Sequence, residues 1–163
     1  MNNYQLNTNW CLWYHSINDN NWKKNSYKNI YTMRNLYDLK TLNSIIEKIH
    51  LQNSMFFIMR EDIFPTWEDP DNRSGGCISY KIPNGDLKEQ FDMILNNIVT
   101  EDILIDSSNT EYLNGLSIIP KKEFNILKLW IRNNDENYTD SLREYEPHFV
   151  KSKALLKKHE LSD

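Results

Sequence analysis

Cysteine is nearly missing from this chain: Cys11 and Cys77 are the only two in 163 residues. Two thiols exclude a disulfide framework and leave no structural zinc site, and there is no signal peptide and no long apolar segment. The expectation is a soluble, intracellular, cytoplasmic protein with reduced thiols and no membrane partner. A basic surplus is also missing. A formal net charge of −4 argues against a nonspecific binder of duplex DNA, yet leaves room for a small basic patch aimed at a few phosphates. Neither internal repeats nor low-complexity runs are present. Asparagine is abundant but scattered among apolar residues, which fits an AT-rich coding genome rather than a functional tract. The length is that of one domain, 1–163, able to bury a real core.

Glycine and proline are sparse, with four and five respectively, and two of each fall in one stretch from Ile63 to Gly76. Pro65 and Pro70 each remove a backbone donor and push the preceding residue toward extended geometry. Gly75-Gly76 permits a turn or a close backbone approach. This places Trp67 and Glu68 together on a polar loop, where an indole face beside a hydrogen-bond acceptor suits a flat ligand with donors along one edge, such as a purine base. Trp67 taken alone is read more readily as a core anchor that tucks the loop down.

Along the chain, residues 1–9 read as a short polar lead. Trp10 to His15 forms a strand with large residues on both faces, and a turn from Ser16 to Asn21 leads to Trp22, either a second loop-borne aromatic or a hydrophobic anchor. Ser26 to Tyr31 is a strand. Thr32 is expected to cap a helix running to about His50, with Met33, Leu36, Leu39, Leu42, Ile45, Ile46 and Ile49 on one stripe and Tyr37 at its margin. Met55 to Met59 and Cys77 to Ile82 are strands. Asp86 with Glu89 reads as a capping box for a helix burying Leu87, Phe91, Ile94, Leu95, Ile98 and Val99. After an acidic, turn-rich segment, Leu113 to Ile119 and Phe124 to Ile131 pair as antiparallel strands about the Pro120-Lys121-Lys122-Glu123 turn, and Ile126, Lys128 and Trp130 share a face. A third helix is expected over Asp135 to Tyr145, interrupted at Pro147, and a short lysine-rich helix over Phe149 to His159 within a variable tail, 147–163. The fold class that follows is α+β: a curved antiparallel sheet with about three helices on the convex face and a pocket on the concave one.

Trp10 to Tyr14, Trp22, the Pro65-Thr66-Trp67-Glu68-Asp69 run with Asn72 to Gly76, and Gly115 followed by Trp130 together resemble translation initiation factor 4E, the messenger RNA cap-binding protein. The resemblance runs from about Tyr4 to Ile131. It implies a protein that is no enzyme, has no catalytic or metal-binding residue, needs no cofactor and takes the 7-methylguanosine cap of mRNA. The N7-methylated base is cationic, and Trp22 and Trp67 match the two indoles that stack on it. Glu68 matches the carboxylate that takes the guanine N1 and N2 donors, and Trp130 the residue near the N7 methyl. On the phosphate side Lys121 aligns with an arginine, while the next basic positions fall on Glu123 and Ile126. Their work is expected to pass to Lys122 and Lys128; a solvated hairpin is the plain alternative for Lys121 and Lys122.

The helical face of the family receives a scaffold subunit or inhibitors. Here the matching positions are Tyr37, Asp92 and Asn96, whose polarity argues for an altered partner. Three functional readings follow: an initiation factor with its own scaffold, a cap-binding competitor or repressor, and, from another class, a carbohydrate-active protein using Glu61, Asp62, Glu68 and Asp69. The segment His148 to Lys158, with Phe149, Lys151 and Lys153, is either a frayed terminus or a reader of the first nucleotide beyond the cap.

Overall fold

The computed structural model describes residues 4–134 and 138–159. In chain order they form β1 (Gln5–Ser16), β2 (Lys28–Asn35), α1 (Leu36–Ile45), α2 (Lys48–Asn53), β3 (Ser54–Arg60), β4 (Gly76–Pro83), α3 (Leu87–Val99), β5 (Leu113–Pro120), β6 (Phe124–Ile131) and β7 (Leu155–Lys158), with short 3-10 turns between them. All seven strands join one antiparallel sheet in the order β2-β1-β3-β5-β6-β4-β7. The expected α+β class, a curved antiparallel sheet with three helices, is the one observed.

Strand alternation sorts the side chains into two layers. Leu12, Phe56, Ile58, Ile78, Tyr80, Leu127 and Leu129 point to the helical side and join Leu42, Leu51, Phe91, Ile94 and Ile98 in the main core. Their neighbours one residue away, Phe57, Met59, Cys77 and Trp130, form a second, smaller cluster on the opposite face. One-residue alternation therefore builds a core on one face and the floor of a pocket on the other.

Several elements differ from expectation. β1 begins at Gln5, inside the stretch read as a polar lead, and Leu6 is buried. The helix expected to follow a Thr32 cap starts three residues later, at Leu36, because β2 continues to Asn35 with Met33 paired to Trp10 and fully buried. Asn35 is the actual cap, its Oδ1 accepting from the Asp38 N–H at 2.9 Å. The helix also breaks at Ile46-Glu47, where Glu47 and His50 form a capping box that starts α2. That break resets the helical phase, so in α2 Ile49 is exposed and Leu51 is the buried residue; Ile45, the last residue of α1, is exposed as well.

α3 buries the six residues its period dictates. Asp86 does not cap it: its backbone sits at φ −105° and ψ 4°, outside the extended geometry a capping side chain needs, and its carboxylate meets His148 Nε2 at 2.9 Å. The third expected helix is reduced to a 3-10 turn at Tyr138–Ser141; 135–137 lie outside the described residues. Beyond it, Phe149 is buried and packs edge-on against Tyr80 at 5.2 Å. The tail then makes a 3-10 turn and runs into β7, an edge strand on β4 where a helix was expected. Among the described residues no helix is long and apolar enough to cross a membrane.

Candidate functional site

The loop from Glu61 to Gly75 is held in shape from within. Asn72, fully buried, donates through Nδ2 to the Phe64 and Thr66 carbonyls at 3.0 and 2.9 Å. Asn114 of β5 donates to the Asp71 carbonyl at 2.7 Å and to Asn72 Oδ1 at 2.9 Å, fixing the loop to the sheet. Asp69 Oδ2 accepts from the Phe64 N–H and Oδ1 from the Asp71 N–H. The glycines answer to contact rather than to turn geometry, since no glycine has a positive φ. A Cβ on Gly75 would stand 1.7 Å from the Ile131 carbonyl oxygen, and one on Gly76 2.4 Å from that of Lys157.

So braced, the loop presents Trp67 and Glu68 to a cavity of about 850 Å³ on the concave face, with Trp22 lining the same cavity. Both tryptophans keep large exposed areas, 51% for Trp22 and 42% for Trp67, which separates them from core anchors. Trp22 is backed by His15, whose ring lies parallel at 4.1 Å and 5°. His15 Nδ1 and Nε2 face the carbonyls of Ser16 and Asn21, at 2.9 and 2.8 Å, so one buried ring spans both ends of the turn before Trp22. Trp130 forms the floor: it is 8% exposed, and its Nε1–H donates to Ser117 Oγ at 3.1 Å.

The Glu68 carboxylate is exposed and makes no hydrogen bond or ion pair among the described residues. Its charge is felt by Tyr27, another lining residue, whose phenol is pushed up to about 12 by burial and then by Glu68. An acceptor without an internal partner beside two open indole faces is chemically suited to a flat, donor-bearing, cationic ring.

The structure brings Trp22, Trp67, Glu68, Trp130 and Lys128 to one cavity, whereas Lys121 and Lys122 stand exposed on the β5–β6 turn and do not line it. Lys157, Lys158 and His159 line it instead. Cross-strand pairing explains how: Cys77 faces Trp130 on one side and Lys157 on the other, and Lys128 lies opposite Ser79. Lysines 128 and 157 thus flank Cys77, whose thiol is pushed up to about 12 by burial against the opposing pull of both. Sequence reasoning missed Tyr27, Lys157 and His159. The only available signal for the last two was the alternation of a four-residue strand, too short to read.

Of the four acids considered for glycoside chemistry, only Glu68 lines the cavity; Asp69 serves its own loop and Glu61 accepts from Asn9. Of the tail residues proposed to reach RNA, Lys158 lines the cavity, whereas the others are engaged elsewhere: Phe149 is core, His148 meets Asp86, Lys151 pairs with Asp140, and Lys153 donates to the Pro147 carbonyl. On the helical face, Tyr37 is 65% exposed and meets Tyr4 edge-on at 5.3 Å. Asp92 pairs with Lys88 at 2.7 Å, and Asn96 Oδ1 accepts from Asn43 Nδ2 at 2.9 Å.

Comparison with known proteins finds that the model of the family described as eukaryotic initiation factor 4E matches residues 5–157. A eukaryotic translation initiation factor 4E homolog of Acanthamoeba polyphaga mimivirus is 30% identical over 71 residues, 44% of this chain and 26% of that protein. Eukaryotic translation initiation factor 4E of Saccharomyces cerevisiae is 27% identical over 143 residues, 82% of this chain and 64% of that protein. The chain thus spans less than two thirds of the length of these relatives. A similar solved structure, Caenorhabditis elegans eIF4E-3 with the 4E-binding protein Mextli and a cap analog, has a TM-score of 0.71 at 23% identity, covering 80% of this chain and 75% of that one. That likeness is one of fold.

Proposed function

This chain belongs to the eukaryotic initiation factor 4E family, and from that premise we propose that its concave pocket binds the 7-methylguanosine 5′ cap of mRNA in cap-dependent translation initiation. The observation that carries the reading is the pair of exposed indoles, Trp22 and Trp67, lining one cavity with the unpartnered carboxylate of Glu68. The methylated base stacks between the two indoles, each contact worth roughly 1–3 kcal/mol, with cation–π attraction added by the positive ring. Glu68 accepts from N1 and N2, which guanine offers and adenine does not. Trp130, fixed by Ser117, closes the slot near the N7 methyl. Lys128 takes the phosphate bridge from the sheet floor, and Lys121 and Lys122 meet phosphates only where the bridge leaves the cavity. Binding explains all these residues without a catalytic step or a cofactor, and the setting is the cytoplasm.

The C. elegans structure is of a complex with a 4E-binding protein, and by analogy the helical face here would receive a scaffold subunit. The groups at Asp92 and Asn96 are already engaged by Lys88 and Asn43, which favours an altered partner, or a competitor that holds the cap without a scaffold. Retention on a 7-methylguanosine matrix, released by free cap analogue but not by GTP, is the expected result for the pocket. Release by GTP at equal concentration would sink the cap reading. Recovery of a scaffold-type subunit with the retained protein separates initiation factor from competitor.

A further inference from the structure

The last described residue closes the pocket from the far edge of the sheet. The His159 backbone N–H donates to the Gly75 carbonyl at 2.8 Å, its Nδ1 lies 2.8 Å from the Asn72 carbonyl oxygen, and its Nε2 lies 3.4 Å from Cys77 Sγ. Its ring also packs on Trp130 at 5.5 Å. A carbonyl only accepts, so Nδ1 carries the proton, and in the neutral ring Nε2 offers its lone pair to the Cys77 thiol, which burial keeps protonated. Asn72 is the residue whose side chain holds the Phe64 and Thr66 carbonyls, immediately before Trp67. A pull on Asn72 is therefore a pull on the wall of the pocket.

We propose that His159 is a positioning residue that latches the Trp67 loop to the sheet, and that protonation of its ring releases the latch and weakens ligand binding. The proposal rests on the cap-binding reading of the same pocket. A second ring proton would leave the Nδ1–H bond to the Asn72 carbonyl in place but set Nε2–H against the thiol of Cys77 on β4, beside Lys128 of β6 and Lys157 of β7, with Glu68 of the loop as the opposing charge among the described residues, so the ring is driven from its seat on the sheet and takes Asn72 with it. Burial first, and then these lysines, hold the ring below its ordinary 6.5, against the Asn72 carbonyl and Glu68, which act to raise it. A depressed folded value means that the latch is complete above 6.5 and is lost as the pH falls through the lower, folded value.

The test is titration of the full chain with 7-methylguanosine monophosphate, for the natural protein, His159→Asn and His159→Ala. The Asn amide keeps a donor near the position of Nδ1 and cannot titrate. At about pH 8, His159→Asn should bind within about twofold of the natural protein and His159→Ala about tenfold more weakly, as for the loss of a buried hydrogen bond. Between about pH 8 and about pH 5 the natural protein should lose about tenfold more affinity than His159→Asn; effects of pH on the ligand are common to both and cancel in the ratio. Parallel pH profiles, or unaltered binding by His159→Ala, would overturn the latch. Amide exchange over Asn72 to Gly75 without ligand reads the same latch, rising in His159→Ala and, at low pH, in the natural protein relative to His159→Asn; equal exchange in all three would also overturn it. If none of the three binds the nucleotide, the cap-binding reading fails, and the exchange comparison decides the latch by itself.

Discussion

The concave and helical faces of this sheet carry similar residue types in opposite states. On the concave face two tryptophans lie open and the Glu68 carboxylate has no partner among the described residues. On the helical face Asp92 is neutralised by Lys88 and Asn96 is joined to Asn43. Lys88 Nζ also donates to the Asn43 carbonyl at 2.6 Å, tying α3 to α1. Polar side chains already satisfied within the fold contribute to holding helices together, whereas those left unsatisfied at a cavity are available to a ligand. Residue type alone does not distinguish the two cases.

The contrast is sharpest within the tryptophans. Trp130→Ala should lower unfolding stability by about 3–5 kcal/mol, because a buried indole and its bond to Ser117 are both removed. Urea denaturation reads this directly, and a change below about 1 kcal/mol would mean that the floor is not part of a packed cluster. Glu68→Gln retains shape but replaces one acceptor by a donor and removes the charge facing a cationic base. Calorimetry should show affinity for the cap falling by at least ~2 kcal/mol with unaltered thermal stability.

Trp22→Ala and Trp67→Ala should each weaken cap binding by about 1–3 kcal/mol while unfolding cooperatively. A variant that unfolds outright, or keeps its affinity, would overturn the stacking role of that indole. Lys128→Ala and Lys157→Ala should each weaken a triphosphate-bearing cap analogue by about 1 kcal/mol, with little effect on 7-methylguanosine itself. The same changes at Lys121 and Lys122 should do less, and equal effects at all four would return the phosphate site to the turn. Asp92→Asn is expected to alter stability by no more than about 0.5 kcal/mol, as for a partly exposed helix pair, and cap affinity not at all.

Where a segment's fate depends on its own period, it was legible in the sequence. The six buried residues of α3 follow from their spacing, the β5–β6 hairpin from its turn and alternation, and the exposed Trp67-Glu68 pair from prolines that neither strand nor helix accommodates. Trp22, Trp67, Glu68, Trp130 and Lys128, which motif and strand alternation single out in the sequence, line one cavity. Pairing partners distant in sequence decided the rest. Met33 looked helical by its spacing from Leu36, but the open edge of β1 took it into β2 opposite Trp10. Leu155 to Lys158 carries too few residues to show a period, and became a strand because β4 offered an unpaired edge. With that edge went Lys157 and His159, brought to a pocket where His159 meets residues more than eighty positions earlier in the chain, as in the Cys77–His159 and Asn72–His159 contacts. Local sequence sets which residues alternate and which must turn; sheet closure across long separations sets which of them meet, because the groups that satisfy one another there are specified nowhere near each other in the chain.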